Sequence, residues 1–271
     1  MQITAKTWNE YITRLSRLNQ KAGQLMRQYI DTHGTGDADA LITYAAALVT
    51  KYGEGSAELA CQMYDALAEA ANAGVPAAEP AEPADYGEVA RMVNATKNQN
   101  PANLPNGVSR LVKRAGADTT LKNAVRDGAE WAWVPHGDTC PFCITLASNG
   151  WQKASSKVLK GGHAEHIHAN CDCEFAIRFD HSTTVAGYDP EKYLKQYRDA
   201  GGDINKMRRV NYAANRERIN AQKRAAYAAR KGYTNQAASA ILDTSNKIGV
   251  NQDVNFVCKI DRSLYRIVEQ D

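Results

Sequence analysis

Two stretches decide how this chain is read: residues 130–147, EWAWVPHGDTCPFCITLA, and residues 168–179, HANCDCEFAIRF. In the first, Glu130, Trp131, Ala132, Trp133 and Val134 have the aromatic character of a short strand, closed by Pro135 and Gly137. In the second, Cys173, Phe175, Ile177 and Phe179 alternate with Glu174, Ala176 and Arg178, the period of a strand with one buried face. Cysteines follow the first strand and open the second.

Outward from these strands the period is helical. Trp8, Tyr11, Ile12, Leu15, Leu18, Leu25, Met26 and Tyr29 recur at spacings of three, four and seven, and Thr7 with Glu10 has the form of a capping box. Leu41, Ile42, Tyr44, Ala45, Leu48, Val49 and Tyr52 predict a second helix ended by Gly53, and Leu59, Met63, Tyr64 and Leu67 a third. Residues 86–97 and 108–126 read as helices separated by Pro101, Pro105 and Gly107, and residues 190–231 as a turn-interrupted helical pair. In that pair Met207, Val210, Ala214, Ala221, Ala225 and Ala228 make a narrow, mostly alanine stripe. VNFVCKI and SLYRIV, near the end, are strand candidates.

The expected fold is mainly α with a small α+β zinc-binding region, an N-terminal helical hairpin or bundle and a long basic C-terminal helix. Composition divides the chain into a helical region at 1–73, a Pro/Ala/Glu linker at 74–84, a domain with the metal site at 85–183, a helical basic segment at 184–248 and an extension at 249–271.

At 271 residues, 44% hydrophobic and 23% charged, the chain can build one or two packed cores, which excludes collagen, a disulfide miniprotein and a wholly disordered tail. Its N-terminus, MQITAKTWNEY, lacks the pattern of a signal peptide, and no apolar run is long enough to span a bilayer. A soluble protein, kept where it is made and without membrane contact, is expected. In a reducing compartment cysteines serve as thiols or ligands rather than bridges. Four of the six fall between 140 and 173, and Cys61 and Cys258 are expected to be plain thiols.

A Cys-x2-Cys pair turns two sulfurs toward one ion through a tight loop, and Pro141 favours that turn. Residues two apart on an extended strand share a face, so Cys171 and Cys173 can converge, with His168 ahead of them. Cys140, Cys143, His168, Cys171 and Cys173 are therefore five candidates for the four positions of a tetrahedral zinc site, with His163 and His166 read as solvated loop. More ligands than positions favours a closed, structural zinc. Glu165 and Asp172 stand near without a His-x-Glu or His-Glu-x-x-His signature, so no complete catalytic constellation is present and no enzyme is expected. Two alternatives stay open: a metal-dependent nuclease or toxin using His136, His166 or His181 as base, and a thiol oxidoreductase using Cys140 and Cys143.

The pattern Asp138-Thr139-Cys140-Pro141-x-Cys143 with Leu146 and Ala147, then His168-x2-Cys171-x-Cys173 entering a hydrophobic strand, resembles the Mu F-like phage minor head proteins, or head morphogenesis proteins. The resemblance covers about residues 85–180; Ala169 and Asp172 depart from the more basic loop of many members. It implies a minor capsid protein of a phage or prophage, associated with the portal and with capsid or scaffold proteins, acting in capsid assembly or DNA packaging and delivery. It would be assembled in the bacterial cytoplasm and located in the virion, at the head interior or portal vertex. The 249–271 extension would then be the remnant of an appended domain.

Charge is uneven. The net +3 combines a +8 segment at 206–231 (nine Lys or Arg, with Glu217 the lone acid) with −5 elsewhere. Arg208, Arg209, Arg216, Arg218, Lys223, Arg224, Arg230 and Lys231 suit packaged DNA or an acidic partner, the alternative being a solvated helix. Residues 54–88 hold eight acids and no base and read as a solvated face.

Overall fold

The computed structural model describes residues 2–137, 139–157, 171–218, 220–221, 223–225 and 227–228. The chain divides into two units, Met1–Asn211 and Tyr212–Asp271. The chain is mainly helical with small sheets, the class its periodicities predict.

Helix α1 spans Ala5–His33 and buries Trp8, Tyr11, Ile12, Leu15 and Met26, one face at helical spacing. Its cap lies one turn earlier than the capping-box expectation. Thr4, in extended conformation, accepts the Thr7 N–H on its hydroxyl at 3.1 Å, which leaves Thr7 inside the first turn. Glu10 is instead 3.9 Å from Lys6 on the exposed face.

Helix α2 is continuous from Ala38 to Ala70, where two helices broken at Gly53 were expected. Gly53 is helical here because neighbours crowd it: a Cβ would stand 2.9 Å from Pro83 Cβ and 3.5 Å from Ala115 Cβ. The helix carries the cost of an interior glycine, about 1 kcal/mol, to let the chain pass this closely.

Helix α3 spans Tyr86–Gln99 and α4 Leu104–Asp127. Pro105 does not interrupt α4, because it falls in the first turn, where the missing N–H has no intrahelical partner anyway. Gly128 ends α4 in the left-handed region, at φ 67°. The proline-rich connector between α2 and α3 is extended and tied down. Ala81 N–H donates to Thr119 Oγ1 at 2.9 Å, Glu79 exchanges two hydrogen bonds with Asn123, and Ala78 N–H donates to Asp65 at 2.7 Å. Asp65 therefore has an internal partner, as does Glu88, paired with Arg114, so the acidic run is more than a solvated face.

Residues on both sides of the connector share two apolar clusters. One joins Met26, Leu41, Val49 and Tyr52 to Val89, Val93, Leu104 and Val108. The other joins Trp8, Tyr11, Leu15, Tyr64 and Leu121 to a three-stranded sheet. With the short β1 at Gln2–Ile3, the strands are β2 at Glu130–Val134, β3 at Gln152–Lys153, β4 at Glu174–Arg178 and β5 at Thr184–Val185. The sheet order is β3-β2-β4, antiparallel, with Trp131 opposite Ile177, Trp133 opposite Phe175 and Val134 opposite Glu174. Strand β1 pairs in parallel with β5. Phe175 packs edge-on against Trp131 and Trp133, with centroids 5.4 and 4.7 Å away.

A 3-10 turn at Pro101–Asn103 precedes α4, and helices α5 at Pro141–Ala147, α6 at Pro190–Asp199 and α7 at Ile204–Ala214 follow β2 in the chain. Met207 of α7 is buried whereas Val210 is 61% exposed, so its alanine-rich stripe is only partly covered. The strand candidates after residue 250 and the 249–271 extension lie outside the described residues.

Where α2 crosses α4, a Cβ on Gly116 would meet Ser56 Oγ at 2.6 Å and Ser56 O at 3.0 Å. Gly116→Val should destabilise the protein by about 1–3 kcal/mol through overpacking; a urea midpoint equal to that of the unsubstituted chain would contradict this contact. Glu88 gives a pH test. Its hydrogen bonds from Arg114 hold its carboxyl below the ordinary range, against the opposing pull of burial. The stability it contributes is complete above the unfolded-state value, about pH 4.3, and is lost as pH falls through the lower folded-state value. Arg114→Met should flatten that acid limb in denaturation curves taken across it.

Candidate metal centre

The antiparallel register lays the two cysteine clusters side by side. Pairing of Val134 with Glu174 puts the residues after β2 beside those before β4, so His136 lies beside Cys173. Cys140 is the N-cap of α5, Pro141 occupies its first turn and Cys143 points inward one turn on. Cys143 and Cys173 are fully buried, and Cys171 and Cys140 half-buried.

The sulfurs of Cys143, Cys171 and Cys173 lie within 4.8 Å of one another, and Cys143 Sγ is 3.3 Å from Cys171 Sγ. Tetrahedral zinc with four thiolates places its sulfurs about 3.8 Å apart, from bonds of about 2.3 Å. The trio thus has the spacing of three corners of such a site. Cys140 stands outside the trio, with its thiol hydrogen-bonded to Cys143. His168, with His163 and His166, lies outside the described residues.

Crowding of thiols makes the cluster electrostatically uneven. Cys171 is pulled down to about 2, first by the thiol of Cys143, then by that of Cys173, with help from the charge of Lys113. Cys143 is pushed up, because its proton is shared with Cys140, Cys171 and Cys173 and because it is buried. Cys173 is pushed up to about 12: the thiol of Cys143 lowers it, and Cys171 and burial outweigh that effect. One thiolate is favoured and further negative charge is opposed, a repulsion that a bound cation relieves.

Supports converge from distant segments. Lys113 Nζ donates to Cys173 O at 2.9 Å and also to Cys171 O. Ser16 Oγ on α1 donates to Asp172 Oδ1, which tethers the cysteine turn to α1. The backbone N–H of His136 is hydrogen-bonded to the sulfur of Cys173. Glu174 is buried, and desolvation pushes it up to about 7 against the opposing charge of Lys113. Sequence reading missed both Lys113 and Ser16; the signal that could have found Lys113 is its place on the α4 face that also carries the buried Ser109, Gly116 and Thr120, and nothing marks Ser16.

The remaining candidates disperse. His136 Nε2 is 3.2 Å from Asn9 Oδ1, and its Nδ1 is buried without a hydrogen-bond partner. His181 Nδ1 is 3.2 Å from Glu130, which also accepts from Arg178 at 2.6 Å, at the far end of β2. Cys61 is a buried thiol pushed up to about 11, mainly by desolvation. Arg208, Arg209, Arg216, Arg218, Lys223 and Arg224 are exposed. Arg218 donates to Asn215 Oδ1 at 3.1 Å, and Lys223 Nζ lies 5.6 Å from the Tyr212 ring centroid. Arg230 and Lys231 lie outside the described residues. Among the described residues no helix is long and apolar enough to cross a membrane.

Fold and site together define a mainly helical protein with a cysteine cluster able to hold a metal ion. Residues 2–200, well over half of the chain, match the VG15 protein family, a viral, phage-type family, and the chain belongs to it. No curated protein and no solved structure matches it.

In chelator-treated protein, Cys171 combines a low pKa with partial exposure, while Cys143 and Cys173 are buried. Iodoacetamide at pH 6.5 should label Cys171 at least about tenfold faster than either neighbour. Peptide mapping that shows equal rates would contradict this ordering.

Proposed function

We propose that this VG15-family protein is a minor head protein of a tailed phage or prophage, of the Mu F-like kind, braced by one structural zinc ion. Cys143, Cys171 and Cys173 supply three ligands, and Cys140 or His168 the fourth. The observation that carries the zinc reading is the convergence of three thiols from segments 28 residues apart at the buried end of β2 and β4. Soft thiolates in a closed, buried site suit zinc. The ion's task there is mechanical: it joins the α5 turn to the start of β4, two segments far apart in the chain.

The head-protein role is supported by membership of a phage-type family and by the cysteine pattern that resembles the head morphogenesis proteins. In this reading the protein sits at the portal or head interior, contacts portal, capsid or scaffold proteins, and has no enzymatic step. The basic segment 206–231, whose described bases Arg208, Arg209, Arg216, Arg218, Lys223 and Arg224 are exposed, lies against packaged DNA, neutralising phosphates without reading sequence.

Metal analysis of the purified full chain should give about one zinc per molecule, and a strong chelator should lower its thermal midpoint, with the loss of exchange protection centred on residues 130–180. Zinc-free protein of unchanged midpoint would remove the zinc reading. Mass spectrometry of purified phage particles should find the chain at low copy number in filled heads; its absence from particles would remove the head-protein reading.

A further inference from the structure

The geometry points to Lys113 as the positioning residue of the cysteine cluster, a buried cation that orders the Cys171–Cys173 turn and offsets the charge of the metal-bound thiolates. This inference rests on the metal reading above and deepens it. A lysine is seldom fully buried without a partner, yet Lys113 is only 3% exposed in the middle of α4. Its ammonium makes no salt bridge among the described residues, Glu174 acting on it only at longer range. It donates instead to the carbonyls of Cys171 and Cys173, so one cation clamps both ends of the tripeptide that carries two of the three clustered sulfurs.

Two consequences follow. With Ser16 holding the Asp172 side chain from the α1 side, the turn is fixed from two helices, and the Cys171 and Cys173 sulfurs are aimed at Cys143 before any ion arrives. The charge matters as well as the hydrogen bonds. A dication held by three or four thiolates keeps a net negative charge, and burying it without a counter-ion is costly. Lys113 is close enough to favour the thiolate of Cys171 and the carboxylate of Glu174 electrostatically. Its permanent charge makes the loaded, anionic site tolerable in a dry interior.

The test uses the full chain titrated with Co2+ and, in competition with a chromophoric chelator, with Zn2+. Unsubstituted protein should give a thiolate-to-cobalt charge-transfer band at one equivalent; no band and no zinc binding would overturn the metal reading itself. Given that binding, Lys113→Met, which keeps the length of the apolar stem, should show the same cobalt spectrum with affinity weaker by about 10–100-fold, the usual loss when a partner behind the ligands is removed. Lys113→Arg should recover most of it. Spectrum and stoichiometry unchanged with affinity within threefold of the unsubstituted chain would overturn the role of Lys113 while leaving the metal site standing. Should Lys113→Met not fold, Lys113→Gln, which keeps a donor and lacks the charge, decides in the same way.

Discussion

Helix α4 is the element on which the rest of the structure leans. Small residues along it, Ser109, Ala115, Gly116, Ala117 and Thr120, are buried, and a Cβ on Gly116 would collide with Ser56 of α2. On the α1 side Ser109 donates to Asn19 O at 2.8 Å and fills the space above Gly23. Helices that approach this closely gain dispersion contacts along their length, and they lose them steeply if pushed apart. The same helix ties down the connector through Thr119 and Asn123 and reaches the cysteine turn through Lys113.

The metal centre is thus an extension of the helical core. The register of β2 and β4, held by Trp131, Trp133 and Phe175, sets the two cysteine clusters opposite each other. Lys113 and Ser16 then aim the sulfurs. Two buried thiols, the half-buried Cys171 and a buried Glu174 are costly neighbours, and beside the Cys171 thiolate the cluster opposes further negative charge, with Lys113 as its cation among the described residues. That arrangement suits the binding of a cation, at a point where the sheet has few strands.

Several features were legible in the residues themselves. The aromatic run at 130–134 and the alternation at 173–179 are local, so both strands appear where the pattern put them. The buried face of α1 follows its spacing for the same reason. Gly53 was misleading, because a glycine that ends a helix and one that admits a neighbouring chain look alike until Pro83 is in place. Pro105 likewise reads as an interruption until its position in the first turn is known. The 54–88 acids read as solvated because Arg114 and the connector amides, which bind two of them, are distant in sequence.

By itself the sequence determined the helical class, the two strands and cysteine pairs with the spacing of metal ligands, since periodicity and cysteine spacing are properties of neighbouring residues. Tertiary structure alone decided that Cys143, Cys171 and Cys173 form the tight trio, that Cys140 stands beside it, and that a lysine from α4 supports it. Those outcomes depend on which segments pack together, and packing is settled by close helix crossings and strand register between residues far apart in the chain.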